Sequence, residues 1–361
     1  MNVYTVTFFD GNYGSILQAY ALQSRLREYG AAPYILSKRK HKRKLPRIFS
    51  IWRVFKSEKN YSFFQRLQRF LQRDDFKEKR LKLSIFVREN LSVKEITDKE
   101  KFIQSLSSKD IFLAGSDQIW NVLNKPLSNW YSLQWINNQY KKYSYAASIG
   151  LTSLTQKQIQ DYAIGLADFR TISLREAHAI KAFSTLFPNK IRQDLDPTLL
   201  YDAVFWQKIE SPRQIKEPYI FVYMLRPDNK LIDIARTIAK EKKCKVVFTG
   251  TYSYKYEGVQ TICDAGVEDF LSYIDNAEAI VTNSFHGTVF SILYEKPFVS
   301  VKIASTGSRA ESLLRLLHLD SQLIESTQQE FSIDVDYSNT QKILIDERKK
   351  SLKYLQSICN S

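Results

Sequence analysis

Four side chains suited to acid–base or anion-binding work stand just after apolar, β-branched runs in this sequence. His286 follows the run AIV at 279–281, in TNSFHGT at 282–288, and leads into an apolar helix. An imidazole, two hydroxyls and an amide thus gather at a helix N-terminus. There, free N–H groups and the positive dipole end suit an anionic ligand, and the imidazole suits a proton donor. This makes His286 the catalytic candidate and Asn283, Ser284 and Thr288 binding candidates. The same residues would also serve as an N-cap and a packed core histidine. Arg175, in SLRE at 173–176, ends a short strand, where a guanidinium can grip a phosphate or carboxylate in two parallel hydrogen bonds; a salt bridge to Glu176 is the plainer alternative. Arg226 occupies the equivalent place after the run at 218–225. Of the carboxylates, Asp117 in AGSDQIW suits a general base, whereas Asp196, beside Pro197, reads as a structural cap.

These residues need strands to hold them. VYTVTFF (3–9), the turn GNYG (11–14) and SILQAYALQSRLREYG (15–30) read as strand, turn and amphipathic helix, followed by the strand PYIL (33–36). Later strands are expected at 110–120, 143–150 and 171–174, with a helix from about Arg175. The polar stretch WQKIESPRQIKE (206–217) reads as a linker. Beyond it, strands at 218–225, 245–250, 279–284 and 297–301 alternate with helices at 231–243, 268–277 and 285–295. This alternation predicts an α/β protein of two domains, 1–205 and 218–361, the second ending in a C-terminal helix. Both would carry mostly parallel sheets and face each other across a cleft, with ligands outside the carboxyl ends of the strands.

Charge is concentrated in one place. The net charge is +15, and residues 38–88 hold 18 Lys or Arg against 4 Asp or Glu, so the rest of the chain is nearly neutral. This stretch opens with KRKHKRK (38–44) and continues through IFSIWRVF (48–55) and YSFFQRLQRFLQR (61–73). In it Phe63, Leu67, Phe70 and Leu71 recur at helical spacing among Arg66, Arg69 and Arg73. Such a segment can lie on an anionic membrane surface, bind nucleic acid, or simply pack on its own domain; the membrane is favoured over nucleic acid. Removing residues 38–59 should then abolish binding to anionic liposomes, and unchanged binding would refute a membrane role. Three cysteines and four histidines are too few and too scattered for a disulfide framework or a structural metal. No secretion signal or membrane-spanning run is apparent in MNVYTVTFF or elsewhere, so a cytoplasmic protein is expected, peripheral at the inner membrane face if the basic segment docks there.

Taken together, GNYGSILQAYALQ (11–23), FLAGSDQIWN (112–121), YAASIG (145–150), ISLRE (172–176), DPTLLYD (196–202) and IVTNSFHGTVFSILYEKPFVSV (280–301) resemble the polysaccharide pyruvyl transferase family. The resemblance implies two Rossmann-like domains arranged as in GT-B glycosyltransferases. It also implies transfer of the enolpyruvyl unit of phosphoenolpyruvate onto sugar hydroxyls, giving a pyruvate ketal in a bacterial surface polysaccharide or its lipid-diphosphate-linked repeat unit. Phosphoenolpyruvate is then a co-substrate, and neither a redox cofactor nor a metal is called for. By the resemblance Arg175 binds the donor and His286 is the histidine of an Arg-Leu-His motif, in which Ser284 and Phe285 replace Arg and Leu. Arg226, Lys302 or Arg309 are the candidates to supply the absent cation. Asn12, Tyr13, Gly14 and Gln18 then fall on the acceptor side of the cleft, where Asp117 or Asn12 orients the hydroxyl. The alternative is a GT-B-type glycosyltransferase using a nucleotide sugar.

Overall fold

The computed structural model describes residues 1–38, 76–123, 125–151, 153–251, 254–303, 308–325 and 330–361. The basic run and most of the aromatic stretch that follows it, with the proposed membrane-binding helix, lie outside these residues.

The first domain is built on a parallel sheet of order β3-β2-β1-β4-β5. Its elements are β1 (Asn2–Val6), α1 (Tyr13–Glu28), β2 (Ala32–Lys38), α2 (Lys77–Asn90), β3 (Val93–Ile96), α3 (Lys99–Gln104), β4 (Ile111–Ala114) and β5 (Lys141–Ser144). In β4 all four residues are buried, as a strand covered on both faces requires. After α4 (Gln156–Gly165), the strands β6 (Ile172–Leu174) and β7 (Ile191–Gln193) flank α5 (Ala177–Ser184). They join the sheet's edge through bridges Tyr143–Thr171 and Ala147–Leu174. A 3₁₀ turn at Pro197–Leu200 and α6 (Ala203–Gln207) lead out of the domain.

The second domain repeats the plan with order β10-β9-β8-β11-β12-β13. It comprises β8 (Tyr219–Met224), α7 (Asn229–Lys242), β9 (Lys245–Gly250), β10 (Val259–Ile262), α8 (Val267–Asp275), β11 (Ala279–Thr282), α9 (Phe285–Leu293), β12 (Phe298–Val301), α10 (Ser308–Leu316), β13 (Leu323–Ile324) and α11 (Ser338–Cys359). All its strand pairings are parallel. Both domains are thus Rossmann-like, as expected. In each sheet the chain winds outward from a central strand, returns, and winds the other way. The reversal falls between β1 and β4 in the first sheet and between β8 and β11 in the second. Side chains beyond these strand ends occupy the two switch points where such sheets bind ligands.

Several details differ from the sequence expectation. The strands expected at 110–120 and 143–150 are only Ile111–Ala114 and Lys141–Ser144, the chain bending after each. Trp206 opened the expected linker, but it is fully buried, donates its indole N–H to Thr198 O at 3.2 Å and packs edge-on against Phe290. The polar linker begins after it. Helix α11 was expected in the second domain, yet it returns to the first. Arg348 donates to Leu199 O at 2.7 Å and Tyr201 O at 3.1 Å, Ser351 Oγ accepts from Leu195 N at 3.0 Å, and the Tyr354 hydroxyl reaches Ser144 O at 2.9 Å.

The domains share one apolar cluster. Tyr13 of α1 stacks on Phe270 of α8 with ring centres 4.4 Å apart and donates its hydroxyl to Ala265 O at 2.9 Å. Helix α2 adds Lys82, paired with Asp269 at 2.9 Å, and Lys79, whose buried ammonium donates to Gly250 O at 3.0 Å over the Tyr13 ring. Burial, with no carboxylate partner among the described residues, pushes Lys79 down to about 7. In the unfolded chain a lysine titrates near ~10.4. Between those values the unfolded chain binds more protons than the folded one, so stability should rise with pH, by up to about 1.4 kcal/mol per unit. Replacing Lys79 by Met should flatten the slope of stability against pH from 7 to 9, followed by denaturant unfolding; an unchanged slope would exclude Lys79 as its source.

Candidate active site

The first switch point is assembled around Asn12. It caps α1 by accepting from Ser15 N at 2.9 Å, and its amide donates to Ser15 Oγ at 2.9 Å. Ser15 Oγ in turn donates to Asp117 Oδ2 at 2.7 Å, while Asp117 Oδ1 accepts from Gln118 N at 2.7 Å. The turn after β4 therefore lies against the first turn of α1. Gln18 Nε2 donates to Phe8 O at 2.6 Å, Ser15 O at 2.8 Å and Thr7 Oγ1 at 3.1 Å, so it braces the loop from within. Tyr13 belongs to the interdomain core. Among the four residues placed on the acceptor side, Asn12 and Gly14 stand at the cleft, and Tyr13 and Gln18 support it from behind.

The second switch point carries His286. Ser284 caps α9, its Oγ accepting from Gly287 N at 3.3 Å, and Thr288 Oγ1 lies 2.9 Å from Ser300 Oγ. Asn283 spans the loop after β8 by accepting from Leu225 N at 2.8 Å and donating to Arg226 O at 2.9 Å. Three of the residues singled out for an anionic ligand thus hold the loop's shape. His286 projects across the cleft onto Gly14: a Cβ added at Gly14 would lie 2.0 Å from His286 Nδ1. Glycine is required here because the imidazole occupies the space of any side chain.

Arg175 and Asp196 complete the cluster. Arg175 Nη2 lies 2.7 Å from Asp196 Oδ2 and donates to Ser116 Oγ; both side chains are buried. Asp196 does cap the 3₁₀ turn, accepting from Thr198 N at 2.9 Å and Thr198 Oγ1 at 2.5 Å. Its other oxygen also faces His286 Nε2 at 3.7 Å. Burial alone would raise the Asp196 carboxyl, but the Arg175 guanidinium, His286 and the Thr198 hydroxyl outweigh it and hold the group well below the usual carboxylate range. Asp196 is therefore a fixed anion between a guanidinium and an imidazole. Arg175 Nε, Arg175 Nη1 and His286 Nε2 are buried without a hydrogen-bond partner among the described residues. Such groups are rare in folded proteins, and each calls for an explanation such as a bound ligand, water or ion. Glu176, the plainer partner foreseen for Arg175, instead accepts from Ser148 Oγ and from Gly150 N at 3.3 Å.

Phe285 has Arg175 Cζ 4.8 Å and Arg309 Cζ 5.5 Å from its ring centre. Beside it opens a cavity of about 190 Å³ lined by Gln118, Arg226, Asn283, Phe285, Lys302 and Arg309, among others. Arg226 and Asn283 line this cavity, Arg175 and Asp196 line a narrow recess that shares Phe285 and Arg309 with it, His286 faces Asp196, and Asp117 lies 3.9 Å from Arg309. Arg309, one of the three candidates for the missing cation, lines this cavity; the pairing of Asp196 with Arg175 and His286 was not foreseen, because Asp196 advertises only its cap. Among the described residues, no three of His, Cys, Asp or Glu are grouped to hold a metal ion. No helix among them is long and apolar enough to cross a membrane.

Comparison with known proteins agrees with this architecture. A glycosyltransferase from Rickettsia africae has a similar fold, with TM-score 0.53 and 10% identity over 99% of this chain and 93% of that one. Arabidopsis thaliana UGT89C1, solved with UDP-L-rhamnose, is similar with TM-score 0.51 and 10% identity over 99% of each chain. These likenesses show the GT-B-type fold. No curated protein matches the chain. The family model for polysaccharide pyruvyl transferase matches residues 12–305, a span that takes in Asn12, Asp117, Arg175, Asp196 and His286. The chain belongs to the polysaccharide pyruvyl transferase family.

Proposed function

We propose that this protein transfers the enolpyruvyl unit of phosphoenolpyruvate onto two hydroxyls of a sugar in a bacterial surface polysaccharide or its precursor, forming a pyruvate ketal and releasing phosphate. What carries the reading is the buried Arg175, with two nitrogens unpartnered, beside the His286–Asp196 pair. Phosphoenolpyruvate brings a carboxylate and a phosphate, and these supply the acceptors the buried donors lack.

The chemistry needs one acid and one place for a proton to go. His286, as imidazolium beside the Asp196 carboxylate, protonates C3 of the enol. A sugar hydroxyl adds at C2 and gives up its proton, and the C2–O bond to phosphate then breaks. The oxocarbenium-like carbon is captured by a second hydroxyl; one of the two hydroxyl protons replaces the one His286 gave to C3, and the other leaves on the phosphate. Asp117 or Asn12, at the facing switch point, orients the attacking hydroxyl. No electrons leave the substrates, so phosphoenolpyruvate serves as co-substrate and no redox cofactor takes part.

Thermal unfolding in phosphoenolpyruvate, UDP, GDP and buffer tests this. A ligand binding only the folded state adds about 2.7 kcal/mol of stability at a hundredfold excess over Kd. A shift with phosphoenolpyruvate, absent in Arg175→Ala, is expected. A shift with UDP or GDP alone would replace this reading with nucleotide-sugar transfer.

A further inference from the structure

Arg309 enters the site from an element that none of the motif segments contains. Helix α10 turns this side chain inward, leaving it only 11% exposed. Its guanidinium sits near the same aromatic ring as that of Arg175, yet the two are held differently. Arg175 has the Asp196 carboxylate at 2.7 Å. Arg309 has Asp117 only at 3.9 Å, and both oxygens of that carboxylate already accept closer hydrogen bonds from Ser15 and Gln118. Its nearer partner is neutral: the Gln118 amide, oxygen turned toward the guanidinium, accepts from Nε at 3.0 Å and Nη2 at 3.2 Å. Burial draws the Arg309 guanidinium down from its usual range and the Arg175 charge adds to it, while the Asp117, Glu176 and Asp196 carboxylates oppose both. Two buried like charges near one ring are costly unless each has an anion in close contact. Asp196 meets Arg175 directly, whereas among the described residues no carboxylate comes closer to Arg309 than Asp117 at 3.9 Å.

The cavity shows where that anion would lie. Arg309 and Phe285 line the 190 Å³ cavity, and the same two residues line a narrow recess with Arg175 and Asp196. Lys302 also lines the cavity, but it is held by Glu311 at 3.0 Å and Glu325 at 2.7 Å. We infer that Arg309 is a second anion-binding residue of this site, taking one acidic group of a small dianionic ligand while Arg175 takes the other. This rests on the phosphoenolpyruvate reading above and adds to it a residue that lies outside the family match.

Calorimetric titration of the full chain with phosphoenolpyruvate tests it, comparing wild type, Arg309→Gln, Arg309→Lys and, as a charge control on the exposed face of α11, Lys349→Gln. Arg309→Gln should weaken binding at least tenfold, Arg309→Lys by less, and Lys349→Gln by under twofold. The circular-dichroism spectrum and melting temperature of each variant report folding. If Arg309→Gln fails to fold, Arg309→Lys decides, because an ammonium keeps the charge but loses the planar fork: wild-type affinity there would overturn the inference. Arg309→Gln binding within twofold of wild type, while Arg175→Ala binds nothing, would likewise overturn it and leave the proposed reaction standing. Wild type failing to bind phosphoenolpyruvate would overturn both.

Discussion

Replacing Asp196 by Asn should both destabilise the protein and stop turnover. Its carboxylate lies 2.7 Å from Arg175 and 3.7 Å from His286, and the neutral amide would leave a buried guanidinium uncompensated. Breaking such a pair from one side typically costs about 3–5 kcal/mol. The pH dependence has a definite sign. The folded carboxyl is held below its ordinary range, so its stabilisation is fully present above the unfolded value near ~3.9 and fades as pH falls below it. That acid-limb slope should therefore be shallower in Asp196→Asn than in wild type. Adding Arg175→Met to Asp196→Asn should restore part of the lost stability, since the stranded charge is gone, but none of the activity. Equal stability of wild type and Asp196→Asn in urea at pH 7 would contradict the buried ion pair.

Replacing His286 by Asn should separate chemistry from binding. The imidazole packs over Gly14 and edge-on to Phe285, 5.1 Å between ring centres, and among the cleft residues it is the one suited to protonate a carbon. Loss of a positioned general acid lowers rates by roughly 10²–10⁴-fold. Arg175 is left in place, so the phosphoenolpyruvate-induced thermal shift should persist while kcat collapses. Arg175→Ala should show the reverse dependence, losing the shift itself. Turnover of His286→Asn within tenfold of wild type would remove His286 from the proton-transfer step.

Much of the scaffold could be read from the chain because buried parallel strands leave an unambiguous trace. Segments 218–225 and 279–282 are unbroken apolar or β-branched runs bounded by polar residues, and 245–250 nearly so. Helix α2 left none. Its sequence KEKRLKLSIFVREN looks like a solvated basic stretch, and its buried positions include Lys79, whose burial depends on the carbonyl and ring of distant elements. Trp206 was hidden in the same way, as a core residue at the head of a polar sequence. In the site, residues that end strands could be recognised because topology alone assigns them to the cleft. What the chain did not disclose was pairing. Asp196 satisfies its local capping rule through Thr198, and nothing local indicates that its second oxygen meets Arg175, 21 residues earlier, or His286, 90 later.

The contact between His286 and Gly14 also dictates the order of events in a catalytic cycle. Under the proposed reaction, with the imidazole resting on the backbone of α1, a sugar acceptor reaching His286 from the side of Asn12 would have to enter where these two walls touch. A bulky acceptor would then load while the domains stand apart and gain a catalytic neighbour once they come together. Separation pulls Tyr13 off Phe270 and Ala265 and works against a terminal helix anchored on the opposite domain. Measured acceptor affinity would therefore be the intrinsic affinity reduced by the fraction of molecules standing open. Mutations at this shared surface, far from any reacting atom, would change apparent KM by altering that fraction, and release of a large ketal product would pass through the same gate.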